Sequence, residues 1–504
     1  MKIRTRFAPS PTGFFHIGGL RSALYSYLFA QHFKKIGEDS EYIFRIEDTD
    51  QLRHVEEGVM ALVKGQEWAG ITPFFSNPEW WKEKVHQQKT PDGNFISYRQ
   101  SEKFDTITAI AEQLVKKGLA YYDYHTSDEL DEIRIEKENK KLPPRFHLTE
   151  EEIKKHQEWA KINNRVEKII RLKMPDNRVY IWEDMIRGHM EVSTEALTDP
   201  VLVKSNNIPM YNFAVVYDDY IMEISHITRG EEHLSNTPYQ IAIREAIKPI
   251  LLEQGWKDIP EPIFAHLPFV TGSDGKKLSK RDKTLLQFVC SDDGRDYMSL
   301  GYYPDAVRNF VALLGWTAKD NKEILSMDEL IERFDGTRIV KAPAFFDINK
   351  MNWISGEYFK NMSDEKFLNF VKPFIKADLS FTDLPDLVLL TFKKQIYNAS
   401  MLNELIEETF IKIDRTKIDS ILESNQISKQ DYGKCISSFK NILSSYHEIN
   451  ETNTDEIIKK VKEETGLKGK ALFMPIRLFA IGKEHGPEMN KILPIIGKKN
   501  LLAH

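Results

Sequence analysis

In RFAPSPTGFFHIGG (residues 6–19), two prolines, three glycines and His16 crowd into one turn between a strand-like and a helix-like stretch. A loop that only connects does not need such backbone control; a loop that wraps a phosphate does. Gly18 and Gly19 let the backbone approach a nucleotide closely, phosphates favour helix N-termini, and the His16 imidazole can donate to a phosphate oxygen. A second loop, FVTGSDGKKLSKRD (269–282), sets Lys276, Lys277, Lys280 and Arg281 around Ser279. Mobile ammonium groups suit charge that develops on a transferring α-phosphate and a leaving pyrophosphate. Each loop alone has a plainer reading, a tight helix–sheet contact for the first and a solvated charge run for the second. Their co-occurrence strengthens the chemical reading.

The elements around these loops must bring them to one edge. KIRTRF alternates as a strand, and GGLRSALYSYLFAQHF has helical spacing with Leu20, Leu24, Leu28 and Phe29 near one face. EYIFRIEDTD is a β-rich run ending in acids, and VEEGVMALVKGQEWAG is a helix closed by glycine. Alternating β and α elements predict an α/β fold with a doubly wound, Rossmann-type parallel sheet and ligands at the carboxyl ends of its strands. Residues 76–98 read as a loop-rich excursion, and LDEIRIEKENKK (130–141) as a charged, solvated helix. MYNFAVVYDDYIMEISHI reads as β-pattern and TPYQIAIREAIKPILL as a helix. In the C-terminal part, LLTFKKQIYNASMLNELIEETF and TDEIIKKVKEETG have helical periodicity. The expected divisions are 1–104 and 201–255 for the two halves of the catalytic domain and 105–200 for an α+β insertion. A connecting domain with the KLSKR loop takes 256–340, and a mainly α-helical domain takes 341–504.

Net charge is −6, so a global positive field is not what draws any nucleic acid to the chain. From residue 341 onward there are 24 Lys and Arg against 22 Asp and Glu, a net of +2, which leaves the first 340 residues at −8. That asymmetry hints that the C-terminal third touches something anionic. Two cysteines, Cys290 and Cys435, stand in no ligand spacing, and no apolar run approaches the roughly 20 residues of a membrane helix. Without a signal-type apolar stretch at the start, the expected setting is the cytoplasm, with no disulfide and no cysteine metal site.

HIGG resembles the HIGH signature of class I aminoacyl-tRNA synthetases, and KLSKR resembles their KMSKS loop. RTRFAPSPTG, FRIEDTD, YRQSEK, MYNFAVVYDDY, HITRGEEHL, DGKKLSKR and APAFFDINKMNWISGEY, in that order, resemble the bacterial type of glutamyl-tRNA synthetase, with ALFMPIRLFAIGKEHGPEM a looser match near the end. The resemblance implies attachment of glutamate to tRNA-Glu through a glutamyl-adenylate, with ATP and Mg²⁺ and with activation awaiting bound tRNA. It implies an acceptor-stem-binding insertion and a C-terminal anticodon-binding domain. It makes His16 and Lys280 the transition-state contacts, and His16, Gly18, Gly19, Lys277, Ser279, Lys280 and Arg281 the ATP-binding set. It carries glutamate binding to Arg6, Ala8, Ser10, Glu47, Tyr211 and Arg229.

The residue chemistry agrees. Glutamate brings two carboxylates and an ammonium; arginine forks bind carboxylates bidentately, and Glu47 can face the ammonium. Side-chain recognition is expected from Arg6, shared with Arg229; in the plainer reading Arg6 only braces Glu47 across the sheet. Asp48 and Asp50 can face the tRNA acceptor end or cap the following helix, and the cap is the favoured reading. Where some relatives place zinc-binding cysteines, just after AYYDY, this chain has Asp123 and Tyr124, so no structural zinc is expected. Where some relatives have an asparagine four residues after the tyrosine of MYNFA, it has Val215. Only Arg415 and Arg477 in the C-terminal region could read a base as arginines. A monomer is expected. The alternatives are a glutaminyl-tRNA synthetase, whose β-barrel C-terminal domains the helical pattern disfavours, and a tRNA-binding factor that kept the fold without catalysis.

Overall fold

The computed structural model describes residues 2–503 apart from 12, 50–55, 72–88, 95, 142–144, 273, 279–285 and 292. The chain divides into two compact units, Met1–Met298 with Val307–Ile348, and Ser299–Ala306 with Asn349–His504.

The strands of the first unit are β1 (Ile3–Phe7), β2 (Phe15–His16), β3 (Ser40–Phe44), β4 (Ala120–Asp123), β5 (Ile169–Leu172), β6 (Val179–Asp184) and β7 (Gly188–Ser193). They continue with β8 (Val201–Val203), β9 (His226–Gly230), β10 (Ile263–Leu267), β11 (Val270–Thr271), β12 (Phe288–Cys290) and β13 (Ala344–Phe345). The main sheet runs β3-β1-β9-β10-β6-β7, and every pairing in it except β6–β7 is parallel. Two of its strands, β6 and β7, come from within residues 105–200, which also supply a small antiparallel sheet, β4-β5-β8, completed by β8.

Seven helices matter to the site: α1 (Ile17–Lys35), α2 (Glu56–Trp68), α3 (Phe104–Lys116), α4 (Ser127–Asn139), α5 (Glu150–Ile162), α6 (Tyr211–Ile221) and α7 (Thr237–Glu253). All five residues of β1 are buried, as befits a strand inside a parallel sheet, so its charged Arg4 and Arg6 are interior groups. α1 is buried on most of its circumference as far as Ala30, not on one face alone. α4 buries no residue and starts with a Thr126–Glu129 capping box, the solvated helix expected there.

MYNFAVVYDDY is not a strand. It forms α6, and only His226–Gly230 downstream is extended. Its aromatic and β-branched residues favour strands by local propensity, yet Phe213 to Ile221 are all buried, and a helix enclosed on every side needs no polar face.

The second unit is helical and encloses a core that includes Phe359, Phe367, Phe392, Phe439, Ile476 and Leu493. The stretch LLTFKKQIYNASMLNELIEETF is interrupted: it gives helices Pro385–Thr391 and Met401–Ile406 and a π-helical turn Glu407–Ile411. TDEIIKKVKEETG lies in one helix, Glu451–Thr465, closed by Gly466 at φ +73°. The architecture is thus the α/β, Rossmann-type sheet followed by helices that the pattern predicts.

Candidate active site

A cleft of about 450 Å³ opens at the carboxyl ends of β1 and β9. Arg6, Ala8, Ser10, His16, Gly18, Gly19, Glu47, Tyr211, Arg229 and Lys277 all line it. Ser279, Lys280, Arg281 and Asp50 lie outside the described residues.

His16 is the N-cap of α1, and its Nδ1 accepts from the Gly19 amide at 3.2 Å. An accepting Nδ1 leaves the proton of the neutral ring on Nε2, which is therefore the donor. The glycines serve this ring geometry. A Cβ on Gly18 would stand 3.1 Å from His16 Cε1 and Nδ1, and one on Gly19 would stand 3.1 Å from the Phe15 ring. β2 pairs antiparallel with β12, and the Ile17 amide donates to Gln287 O at 2.9 Å, which ties the HIGG turn to the segment after KLSKR. Lys277 rests on Glu232 at 3.3 Å and over the Phe269 ring.

At the other end of the cleft the charges are mostly paired. Arg6 donates to both carboxylate oxygens of Asp219, at 3.1 and 3.3 Å. Glu47 takes Arg45 Nη2 at 2.8 Å, so Arg6 and Glu47 do not form the mutual brace of the plainer reading. Burial pushes the Glu47 carboxyl above its usual range despite Arg45 and Arg6. Burial would do the same to Asp219, but Arg6 and Arg45 hold it below.

Arg229 differs. It donates to His266 Nε2 (3.0 Å), Gln240 Oε1 (2.7 Å) and Thr237 Oγ1 (2.9 Å), all neutral acceptors. It is 6% exposed and has no carboxylate partner among the described residues. His266 passes its other nitrogen to Asp184. Burial, with the nearby Arg6 charge, lowers the Arg229 pKa more than Tyr211, Asp219 and Glu47 raise it. Tyr211, pushed up to about 12 by burial, meets His233 at 3.3 Å, and burial with the nearby Arg229 brings His233 down to about 4. At neutral pH both are uncharged.

Asp48 accepts from the Ser101 amide and hydroxyl at 2.8 and 2.6 Å. It thus holds the start of the short 3₁₀ turn Gln100–Lys103, while the residues leading into α2, 50–55, lie outside the described residues. Val215 is buried in α6, and Asn212 of that helix accepts from Gln240, the partner of Arg229. Sequence reasoning missed Arg45, Asp219, His233, Gln240 and His266. A charge inside an apolar run, as in YIFRIE and VVYDDY, is the signal that flags two of them.

Among the described residues one group converges as metal ligands do: Asp123, His125 and His156. The two imidazoles are stacked, with centroids 4.0 Å apart and planes 7° from parallel. An ion in the plane of one ring then lies well off the plane of the other, so both cannot ligate it. His156 Nε2 already accepts the Tyr124 amide at 2.9 Å, and Arg171 Nε reaches Asp123 at 2.6 Å. As arranged, these residues do not fit zinc; the Arg171 guanidinium supplies the positive charge.

The family model described as tRNA synthetases class I (E and Q), catalytic domain, matches residues 2–353, and the one described as anticodon binding domain matches 367–503. A glutamate–tRNA ligase of Malacoplasma penetrans is 42% identical over all of this chain and 97% of its own length, and that of Ureaplasma urealyticum 41% over all of this chain and 98% of its own. Among solved structures, a glutamate–tRNA ligase of Elizabethkingia meningosepticum in complex with its amino acid superposes with a TM-score of 0.82 at 32% identity, over 100% of this chain and 98% of that one. With the cleft, the two loops and the whole length of the chain in agreement, this protein belongs to the class I tRNA synthetases of the glutamate and glutamine group.

Proposed function

We propose that the chain attaches glutamate to tRNA-Glu at the expense of ATP, by way of glutamyl-adenylate. The observation that carries the glutamate assignment is the charge state of the cleft. Arg6 is paired, Glu47 presents a carboxylate, and Arg229 is a buried cation that donates to neutral acceptors among the described residues. A ligand with an ammonium and a net charge of −1 completes that arrangement.

In the first step the glutamate α-carboxylate oxygen bonds to the α-phosphorus of ATP, and the bond to the bridging oxygen breaks to release pyrophosphate. In the second, the terminal ribose hydroxyl of the tRNA takes the glutamyl group, and AMP leaves. Neither step needs a side-chain nucleophile, so catalysis rests on positioning and electrostatics. Glu47 receives the ammonium, and Arg229 with Arg6 receives carboxylate. His16 donates from Nε2 to phosphate oxygens, and Lys280 with Lys277, Ser279 and Arg281 takes the charge that develops at the leaving group. Magnesium, when bound with ATP, would supply further charge neutralisation. Residues 105–200 receive the acceptor stem and 341–504 the anticodon. No described helix is long and apolar enough to cross a membrane, and we place the enzyme in the cytoplasm as a monomer, without structural zinc.

The test is glutamate-dependent ATP–pyrophosphate exchange with purified tRNA-Glu present or absent. Exchange only with tRNA supports the reading; exchange equal without it removes the tRNA dependence, and no exchange at all favours a binding factor. Charging of tRNA-Glu and tRNA-Gln side by side fixes the acceptor.

A further inference from the structure

We infer that Arg45, which does not line the cleft, is a positioning residue that keeps Glu47 and Arg6 from neutralising each other. The inference rests on the reading of the cleft as a glutamate site and concerns how its two ends are held apart.

Arg45 sits just after β3 and is fully buried. Its Nη2 donates to Glu47 Oε1 at 2.8 Å, and its Nη1 donates to Asp219 Oδ1 at 2.8 Å. The same Asp219 carboxylate holds Arg6 from the other side. Arg45 therefore touches both the carboxylate offered to the ammonium and the carboxylate that fixes the Arg6 fork. Behind it, Asp218 stands 3.7 Å from Arg45 Nε and is closed off by Gln100 at 3.1 Å and by the buried Lys103 at 3.4 Å.

The charges in this cluster balance. Arg6, Arg45 and Lys103 face Glu47, Asp218 and Asp219, three against three among the described residues. A balanced buried network is tolerable; one left with an unpaired carboxylate is not. If Arg45 is removed, Glu47 loses its partner, and the nearest remaining cation is Arg6, already the second cation acting on it. The least costly rearrangement swings Glu47 onto Arg6 and so closes the ammonium site with the residue meant to frame the carboxylate site. ATP binds at the other end of the cleft and is indifferent to this change.

The experiment is steady-state kinetics of full-length Arg45→Met and Arg45→Lys with tRNA-Glu, alongside thermal unfolding. Arg4→Met is the control: Arg4 is similarly buried, lies on β1, pairs with Glu41 and Glu223, and stays outside the cleft. KM for glutamate should rise on the order of 10- to 100-fold in Arg45→Met, the scale of misplacing a group by about 1 Å, with KM for ATP unchanged. Arg45→Lys keeps the charge but reaches one carboxylate, and should give a smaller rise with a folded protein. Arg4→Met should lower the melting temperature without the glutamate-specific change. An unchanged KM for glutamate in a folded Arg45→Lys overturns the inference. So does a rise in both KM values that Arg4→Met reproduces. A wild-type enzyme that does not activate glutamate overturns the site assignment instead, and the two failures are thus distinct.

Discussion

Asp219 holds the guanidinium of Arg6 by both of its carboxylate oxygens, so Arg6 meets a ligand as half of an ion pair. Arg229 meets it as a cation with only neutral partners among the described residues. The larger share of the choice between glutamate and glutamine should therefore fall to Arg229. Arg229→Gln is expected to lower kcat/KM for glutamate by roughly 30- to 4000-fold, the range for truncating one partner of a buried charge pair, and to shrink the preference over glutamine. Arg6→Gln should shrink that preference less. Measured kcat/KM for both amino acids decides it: a folded, active Arg229→Gln with full preference would show that the discrimination lies elsewhere.

His16 has two proposed roles that substitution can separate, because Nδ1 caps α1 while the neutral ring carries its proton on Nε2. His16→Ala should lose both, about 1 kcal/mol of cap stability and on the order of 10²-fold in kcat. His16→Asn keeps a good N-cap and should hold its stability to within a few tenths of a kcal/mol, yet lose a similar factor in kcat. Equal kcat in His16→Asn and wild type would exclude the imidazole from the transition state.

Gly18→Ala offers a milder probe of the same ring. The added methyl would press on His16 at 3.1 Å, closer than most real contacts. We expect kcat to fall while the melting temperature stays level or rises, since alanine is a better helix former than glycine. A variant with wild-type kcat would mean the ring has room to move without consequence.

Asp123 makes stability depend on acid. Burial alone would raise its pKa, but His125 and Arg171 hold it far below the usual carboxylate range. Its folded pKa is thus depressed relative to the unfolded chain, so its contribution is complete above the ordinary value near 4 and is lost as pH falls below it. Asp123→Asn should cost about 3–5 kcal/mol at pH 7, the scale for breaking a buried pair, and less at pH 3. Urea titrations of both proteins at the two pH values measure this, and a difference that is constant with pH would remove Asp123 from the account.

The same cluster predicts indifference to chelators. Protein purified without a metal-affinity tag should contain well under one zinc per chain, and EDTA should leave its melting temperature in place. Stoichiometric zinc with a lower melting temperature after chelation would require the stacked histidines to rotate apart.

What could be read from residue order was local. HIGG, Arg6, Glu47 and Arg229 stand at or near the ends of strands, where charge and glycine are conspicuous, and they line the cleft, as does Lys277 of KLSKR. The partners of those residues were not legible. Arg45 meets Asp219 across 174 positions of sequence, and Arg229 meets His266 across 37, distances over which no periodicity carries information. α6 was misread because strand propensity is a weak prior once a segment is enclosed on all sides. The Ser101 partner of Asp48 was not legible for a related reason: it lies beyond a stretch that sequence alone leaves open.

The pairing of β2 with β12 has a consequence for the order in which the protein is made. Phe15 and His16 leave the ribosome early, while Phe288 and Cys290 follow more than 270 residues later. β1, moreover, is flanked in the sheet by β9, which is also late. A nascent chain holding only the first half of this unit has the HIGG turn in sequence but lacks the strand that frames it. The turn proposed to hold the nucleotide is begun first and completed among the last, so synthesis that stops short of residue 290 leaves that turn without its partner strand.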